Sequence, residues 1–181
     1  MIESTGTDLT KQYIVDALFQ LLSKKPYDKI TIVDIVNRAG IGRATFYRHF
    51  NNKNDIILSC FNKEMDTFKE LIHYTAKNND DYYELFFTIF TKIKEKKRLM
   101  KLIIQLHLEH FYLQFLNDAL IENFKVNHLD LGDYAPYYYA GCFFNVSIKW
   151  LENDCQDSIK SITDTFYNYT FAILAQNYIK Q

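Results

Sequence analysis

Residues 31–53, TIVDIVNRAGIGRATFYRHFNNK, constrain the fold of this chain more than any other stretch. Thr31, followed three residues later by Asp34, makes a capping box, in which two side chains satisfy the free amides of a helix start; a helix is expected from Ile32. It runs to Ala39 and stops at Gly40, the residue that most readily takes the left-handed conformation closing a helix. Gly42 is a permissive cap for a second helix over residues 43–49. Two short helices joined by a tight glycine turn form a helix-turn-helix. A second helix bearing Arg43, Thr45, Tyr47, Arg48 and His49 fits the major groove of DNA.

The rest of the chain reads as helix too. Ile14, Leu18, Leu21 and Leu22 share one face of a helix over residues 8–24, which Pro26 ends. Asn52 and Asp55 repeat the capping signature before a longer helix carrying Ile56, Ile57, Cys60, Phe61, Met65 and Phe68. A polar break at residues 78–81 precedes helices over 82–95 and 98–115, a shorter apolar piece over 116–124, and a loop over 127–133. Pro136 suits a first helical turn, so two long helices are expected over 136–152 and 158–179, separated by residues 153–157. With 5 Gly and 2 Pro in 181 residues there is little punctuation for a β-protein. The expected architecture is all-α, with about nine helices. A three-helix helix-turn-helix head over residues 1–52 is followed by a C-terminal helical bundle over 53–181 that serves ligand binding and dimerisation.

Charge supports that division. The net charge of the whole chain is −1, which excludes a uniformly basic nucleic-acid binder. Residues 1–60 carry +2 and the remainder −3, the sign expected of a DNA-reading head on a neutral body. Cys60, Cys142 and Cys155 are scattered and form no Cys-x-x-Cys pair, so neither a disulfide framework nor a zinc site is expected. The polar N-terminus and the lack of a roughly 20-residue apolar run point to the cytoplasm, with no membrane contact. No Gly-rich phosphate loop and no Gly-x-Ser-x-Gly turn is present, so no enzyme activity and no cofactor are expected.

The residues Ile30-Thr31, Ile35, Ala39-Gly40, Thr45-Phe46-Tyr47, Phe50 and Lys53 resemble the DNA-binding head of the TetR family of bacterial transcriptional regulators. That resemblance implies that Arg43 and Thr45 face base edges and that Tyr47, His49 and Lys53 meet phosphates. Thr31, Ala44 and Arg48 complete the candidate DNA-binding set. An arginine such as Arg43 can bridge guanine O6 and N7, a contact worth roughly 1–3 kcal/mol of discrimination. The family often carries Ser or Thr where this chain has Gly42, so a hydroxyl cap is absent here. Phe46 and Phe50 are expected to be core.

The body carries no catalytic signature. Most of its aromatic residues are bundle core. Phe86, Phe90, Leu106, His107, His110, Phe111, Tyr139, Cys142 and Phe143 are candidate lining of an effector pocket, apolar with a few polar handles. His107 and His110 are spaced to share one helix face, but no further ligand completes a metal site. The stretches Tyr137-Tyr138-Tyr139-Ala140-Gly141 and Trp150-Leu151-Glu152-Asn153 resemble a C-terminal domain found among TetR-like proteins of low-GC bacteria. The helices over 136–152 and 158–179 are the expected homodimer interface, with Phe144, Ile148, Leu151, Ile162, Phe166, Tyr169 and Ile173 as the apolar seam. The expected function is a homodimeric repressor that a small-molecule effector releases from an inverted-repeat, double-stranded DNA operator. The alternative is a regulator or co-activator whose C-terminal domain binds a partner protein.

Overall fold

The computed structural model describes residues 3–72 and 79–178. Among the described residues there are nine α-helices and no strand. The chain divides into two compact units, Met1–Asn62 and Lys63–Gln181. The division falls ten residues beyond the expected boundary at 52/53. The reason lies in α4 (Lys53–Ile72), whose first half carries Ile56, Ile57 and Phe61 buried in the head.

The first unit opens with α1 (Glu3–Leu22), which begins five residues earlier than expected and buries Ile14, Ala17 and Leu18 at helical spacing. A single 3-10 turn (Tyr27–Lys29) leads into α2 (Ile32–Ala39). At its start the Thr31 hydroxyl accepts from the Asp34 amide (3.1 Å), and Asp34 Oδ2 accepts from the Thr31 amide (2.7 Å). Gly40 closes the helix at φ 68°, with the Ile41 amide donating to Val36 O. This reversal needs the left-handed region, which costs any residue with a Cβ roughly 1 kcal/mol or more. The next helix, α3 (Arg43–His49), has the expected bounds. Its N-cap Gly42 sits at φ −81°, an ordinary extended conformation. Asn52 Oδ1 then caps α4 by accepting from the amides of Asn54 (2.8 Å) and Asp55 (3.1 Å).

The second unit holds the remaining half of α4 and five further helices: α5 (Asn79–Glu95), α6 (Lys97–Gln105), α7 (Glu109–Val126), α8 (Ala135–Glu152) and α9 (Ile159–Tyr178). The expected polar break at 78–81 is not a break within the described residues. Asn79, Asp80 and Asp81 form the first turn of α5, where acidic groups favour the helix dipole, and Asn78 lies outside the described residues.

The helix expected over 98–115 is divided at Leu106-His107-Leu108, and the piece expected over 116–124 is the second half of a continuous α7. His107 takes φ 55°, and the Leu108 amide donates back to Ile103 O. The geometry matches the turn at Gly40 but uses a residue with a Cβ.

Within this unit α7 packs on α8 and α5 on α9. Phe90 stands at the centre of the core, 5.2 Å from the Phe143 ring and 5.6 Å from the Trp150 ring. Trp150 Nε1 donates to Asp157 O (3.2 Å), so its polar edge is satisfied. Leu151, Ile162 and Phe166 are buried in this same core. The sequence reading places these three in a seam to a second subunit; the structure buries them within their own chain. Phe144 and Ile148 are half-buried and Tyr169 is exposed; the side chain of Ile173 and residue 179 lie outside the described residues. No described helix is long and apolar enough to cross a membrane.

Candidate nucleic-acid interface and a cavity in the second unit

Of the seven residues of α3, only Phe46 is fully buried, at 0% exposure. It anchors the helix from below, with Phe50 beside it at 6.2 Å between ring centres. Arg43, Ala44, Tyr47 and Arg48 are exposed. Positions 43 and 47, and likewise 44 and 48, are one turn apart, so the four make one outward strip. Thr45 and His49, also one turn apart, are half-buried on its shoulder. Tyr47 is 51% exposed, with its ring edge held 5.4 Å from Phe46, so its hydroxyl is carried outward by a fixed ring. His49 titrates below the ordinary histidine value, because of partial burial first and then the neighbouring Arg48 and Lys11 cations. A short rigid helix that presents a guanidinium, a phenol and an imidazole on one side can meet base edges and phosphates together.

Two candidate residues are placed differently. Lys53 does not extend as a free phosphate charge. Its Nζ donates to Tyr27 O (2.9 Å) and Ile30 O (3.0 Å) and lies 4.2 Å from the centre of the Tyr27 ring. Thr31 is exposed, but its hydroxyl also donates to Asp34 Oδ2 (2.7 Å), so its work is to start α2. Tyr27, passed over in the sequence, completes the brace. It is buried, and its hydroxyl donates to Asn54 Oδ1 (2.6 Å), which joins the segment before α2 to the first turn of α4. The signal was a large aromatic between a proline and a capping box, where a solvated loop would carry none.

The second unit contains a cavity of about 360 Å³, bounded by α4 beyond residue 63, α5, α6, α7, α8 and α9. That volume falls within the range of small-molecule sites, about 300–1,000 Å³. Of the nine candidate residues, Phe86, Tyr139 and Phe143 line it. Phe90 is wholly buried in the core cluster instead. Leu106, His107, His110, Phe111 and Cys142 lie off the cavity wall. His107 is 91% exposed in the α6–α7 turn, outside any helix, so the two histidines do not share a helix face. Among the described residues no cluster of three metal-ligating side chains occurs.

The wall also contains residues that the sequence reading missed, chiefly Met65, Phe68, Leu99, Met100 and Tyr112, together with Glu64 and Lys96. Glu64 and Lys96 are bonded to each other at 2.9 Å. Tyr112 is buried against Ser147 (3.3 Å), and its phenol is held far above its ordinary value by burial.

These features have close counterparts. Residues 14–60 match the model described as bacterial regulatory proteins, tetR family, and residues 64–171 match the model of a transcriptional regulator C-terminal region. The negative transcriptional regulator of the icaADBC biofilm operon of Staphylococcus epidermidis is 30% identical over 142 residues, 67% of this chain and 72% of that one. Among solved structures, the dihydroxyacetone kinase operon activator DhaS aligns with TM-score 0.63 at 20% identity, over 90% of this chain and 94% of that one. The regulator FadR of Bacillus subtilis, in complex with stearoyl-CoA, aligns with TM-score 0.58 at 19% identity, over 87% and 95%. At such identities the two structures establish the fold alone. The family models and the staphylococcal relative carry more, and by them the chain belongs to the TetR family of bacterial transcriptional regulators.

Proposed function

We propose that the protein is a homodimeric repressor that holds an inverted-repeat operator through two copies of α3 and is released by a ligand of its second unit. The observation that carries this reading is the outward strip of Arg43, Ala44, Tyr47 and Arg48 on a helix anchored by Phe46. In a dimer two such helices enter successive major grooves about 34–36 Å apart. Pairing runs through α8 and α9, with Phe144, Ile148 and Tyr169 as apolar contacts. Kinship with a negative regulator supports repression over activation. The cavity supports a small-molecule effector with a mainly apolar body, and the stearoyl-CoA complex of a fold neighbour is in line with it. Release requires that the ligand bind one dimer form more tightly than the other. The protein acts in the cytoplasm, on DNA, as a binder rather than an enzyme.

Fluorescence anisotropy with the DNA upstream of the protein's own gene tests this reading. The expected result is preference for that DNA over random sequence of equal length, a stoichiometry of two chains per site, and affinity that falls steeply with salt as phosphate contacts release counterions. Equal affinity for both DNAs overturns the operator; a single bound chain overturns the dimer.

A second reading has its own support. Tyr134, Tyr137 and Tyr138 stand exposed at the start of α8, Tyr134 by 86%, and a fold neighbour is an operon activator. A partner protein docked there would make this chain a co-activator. Native mass spectrometry separates the two readings: a retained small molecule favours the cavity.

A further inference from the structure

We propose that the cavity takes an amphiphile with an anionic head, and that Lys96 exchanges Glu64 for that head when the ligand enters. This rests on the reading of the cavity as the effector site. The wall is almost wholly apolar, built from side chains such as Phe68, Phe86, Leu99 and Met100. Among the described residues that line it, Glu64 and Lys96 are the charged ones, and they are paired at 2.9 Å. Their side chains are 26% and 43% exposed, so the pair sits where the cavity meets solvent. A ligand with an apolar body and a charged end therefore has this pair, among the described lining residues, to set that end against.

The surrounding charge decides the sign. Residues 92–101 carry six cations (Lys92, Lys94, Lys96, Lys97, Arg98 and Lys101) against one carboxylate, Glu95. Asp154 offsets part of this by pairing with Lys97 and Lys101, each at 2.8 Å. The first turn of α6, which follows Lys96 directly, has no acidic side chain, so its positive end is not neutralised within the helix.

An anion arriving at Lys96 enters a positive field, and the displaced Glu64 is exposed enough to be solvated where it stands. A cationic head would have to take Glu64 and leave Lys96 unpaired among five like charges, which is unfavourable. A neutral head leaves the pair intact and gains no charge-assisted bond. Leu99 and Met100, one turn along from Lys96, then receive the first segment of the apolar tail.

Isothermal titration of the protein with three probes of equal chain length tests the exchange: dodecanoate and dodecyltrimethylammonium, each below its micellar concentration, and dodecanol below its solubility limit. Dodecanoate is expected to bind about tenfold tighter than dodecanol, the size of a single charge-assisted bond. Lys96→Met is expected to abolish that preference, read as the ratio of dodecanoate to dodecanol affinity within the same variant. Glu64→Gln removes the competitor for Lys96 and is expected to raise dodecanoate affinity several-fold; it keeps the proposal testable should Lys96→Met fold poorly. Dodecyl phosphate in place of dodecanoate distinguishes a phosphorylated head from a carboxylate, and either supports the assignment if Lys96→Met removes the preference.

Equal binding of dodecanoate and dodecanol overturns the head-group site and leaves the cavity standing, as does a preference that survives Lys96→Met. Tightest binding of the cationic probe overturns it in favour of Glu64. Failure of all three probes to bind overturns the cavity reading with it.

Discussion

The head and the body use aromatic residues in opposite ways. In the head, Phe46 and Phe50 fill the interior so that a polar strip can be held rigidly outside it. In the body, Phe90 and Trp150 pack against each other in the interior, while Phe68, Phe86, Phe143 and Phe166 border a cavity. A tight core fixes the position of a reading surface; a loosened core makes room for a guest. The two units therefore respond differently to the same kind of change.

Phe46→Ala removes a fully buried ring from a small core and is expected to cost about 3–5 kcal/mol, enough to unfold the head and abolish DNA binding. Phe86→Ala enlarges a cavity already present, and because Phe86 is only half-buried its cost should be clearly smaller. Denaturant unfolding of both variants checks this, and equal losses would erase the contrast.

Lys53→Met separates bracing from phosphate contact. Removal of two charge-assisted bonds to Tyr27 O and Ile30 O is expected to destabilise the protein by about 2 kcal/mol, after allowance for partial exposure, and to leave the salt slope of operator binding unchanged. A slope smaller by about 0.9, with stability intact, would make Lys53 a phosphate ligand after all.

Gly40→Ala forces a Cβ into φ 68° and should cost about 1 kcal/mol. Gly42→Ala, at an extended φ with no atom within 4 Å of the added Cβ, meets no steric strain and should lose only about 0.5 kcal/mol, for the poorer N-cap. Thermal melts of the two variants report the difference between a required and a permissive glycine.

The smallest effect concerns pH. His49 in the free head titrates below the ordinary value of about 6.5. The folded head thus disfavours the imidazolium and loses a little stability as pH falls from about 6.5 through the folded value. A phosphate beside the ring has the opposite effect: it favours the imidazolium, so binding takes up a proton and operator affinity rises as pH falls through the same window. Less than a tenfold gain is expected between about pH 7.5 and 5.5, and His49→Gln should flatten it. A flat wild-type profile would remove His49 from the contacts.

The head was legible in the sequence because its boundaries are written in side-chain chemistry. Thr31 with Asp34 and the glycine at 40 set the bounds of α2, and α3 followed. The body was less legible for two physical reasons. The turn between α6 and α7, which splits a helix expected to be continuous, closes on His107 at positive φ, so no glycine marks it. Its cavity is lined by the same apolar types, at the same spacing, that make a solid core; nothing in the residue type separates Phe86, on the wall, from Phe90, in the packed cluster. The charges at its edge were within reach, since six cations in ten residues is an unusual density for a body of net charge −3.

The central claim is that the outward strip of α3 reads bases, and Arg43→Ala tests it most directly. Affinity for the cognate operator and for random DNA should be measured side by side, with a melting temperature to establish the fold. The operator should lose about 1–3 kcal/mol of binding while random DNA loses much less. An equal loss on both DNAs, with the fold intact, would mean that Arg43 meets only phosphate and that the strip does not read sequence.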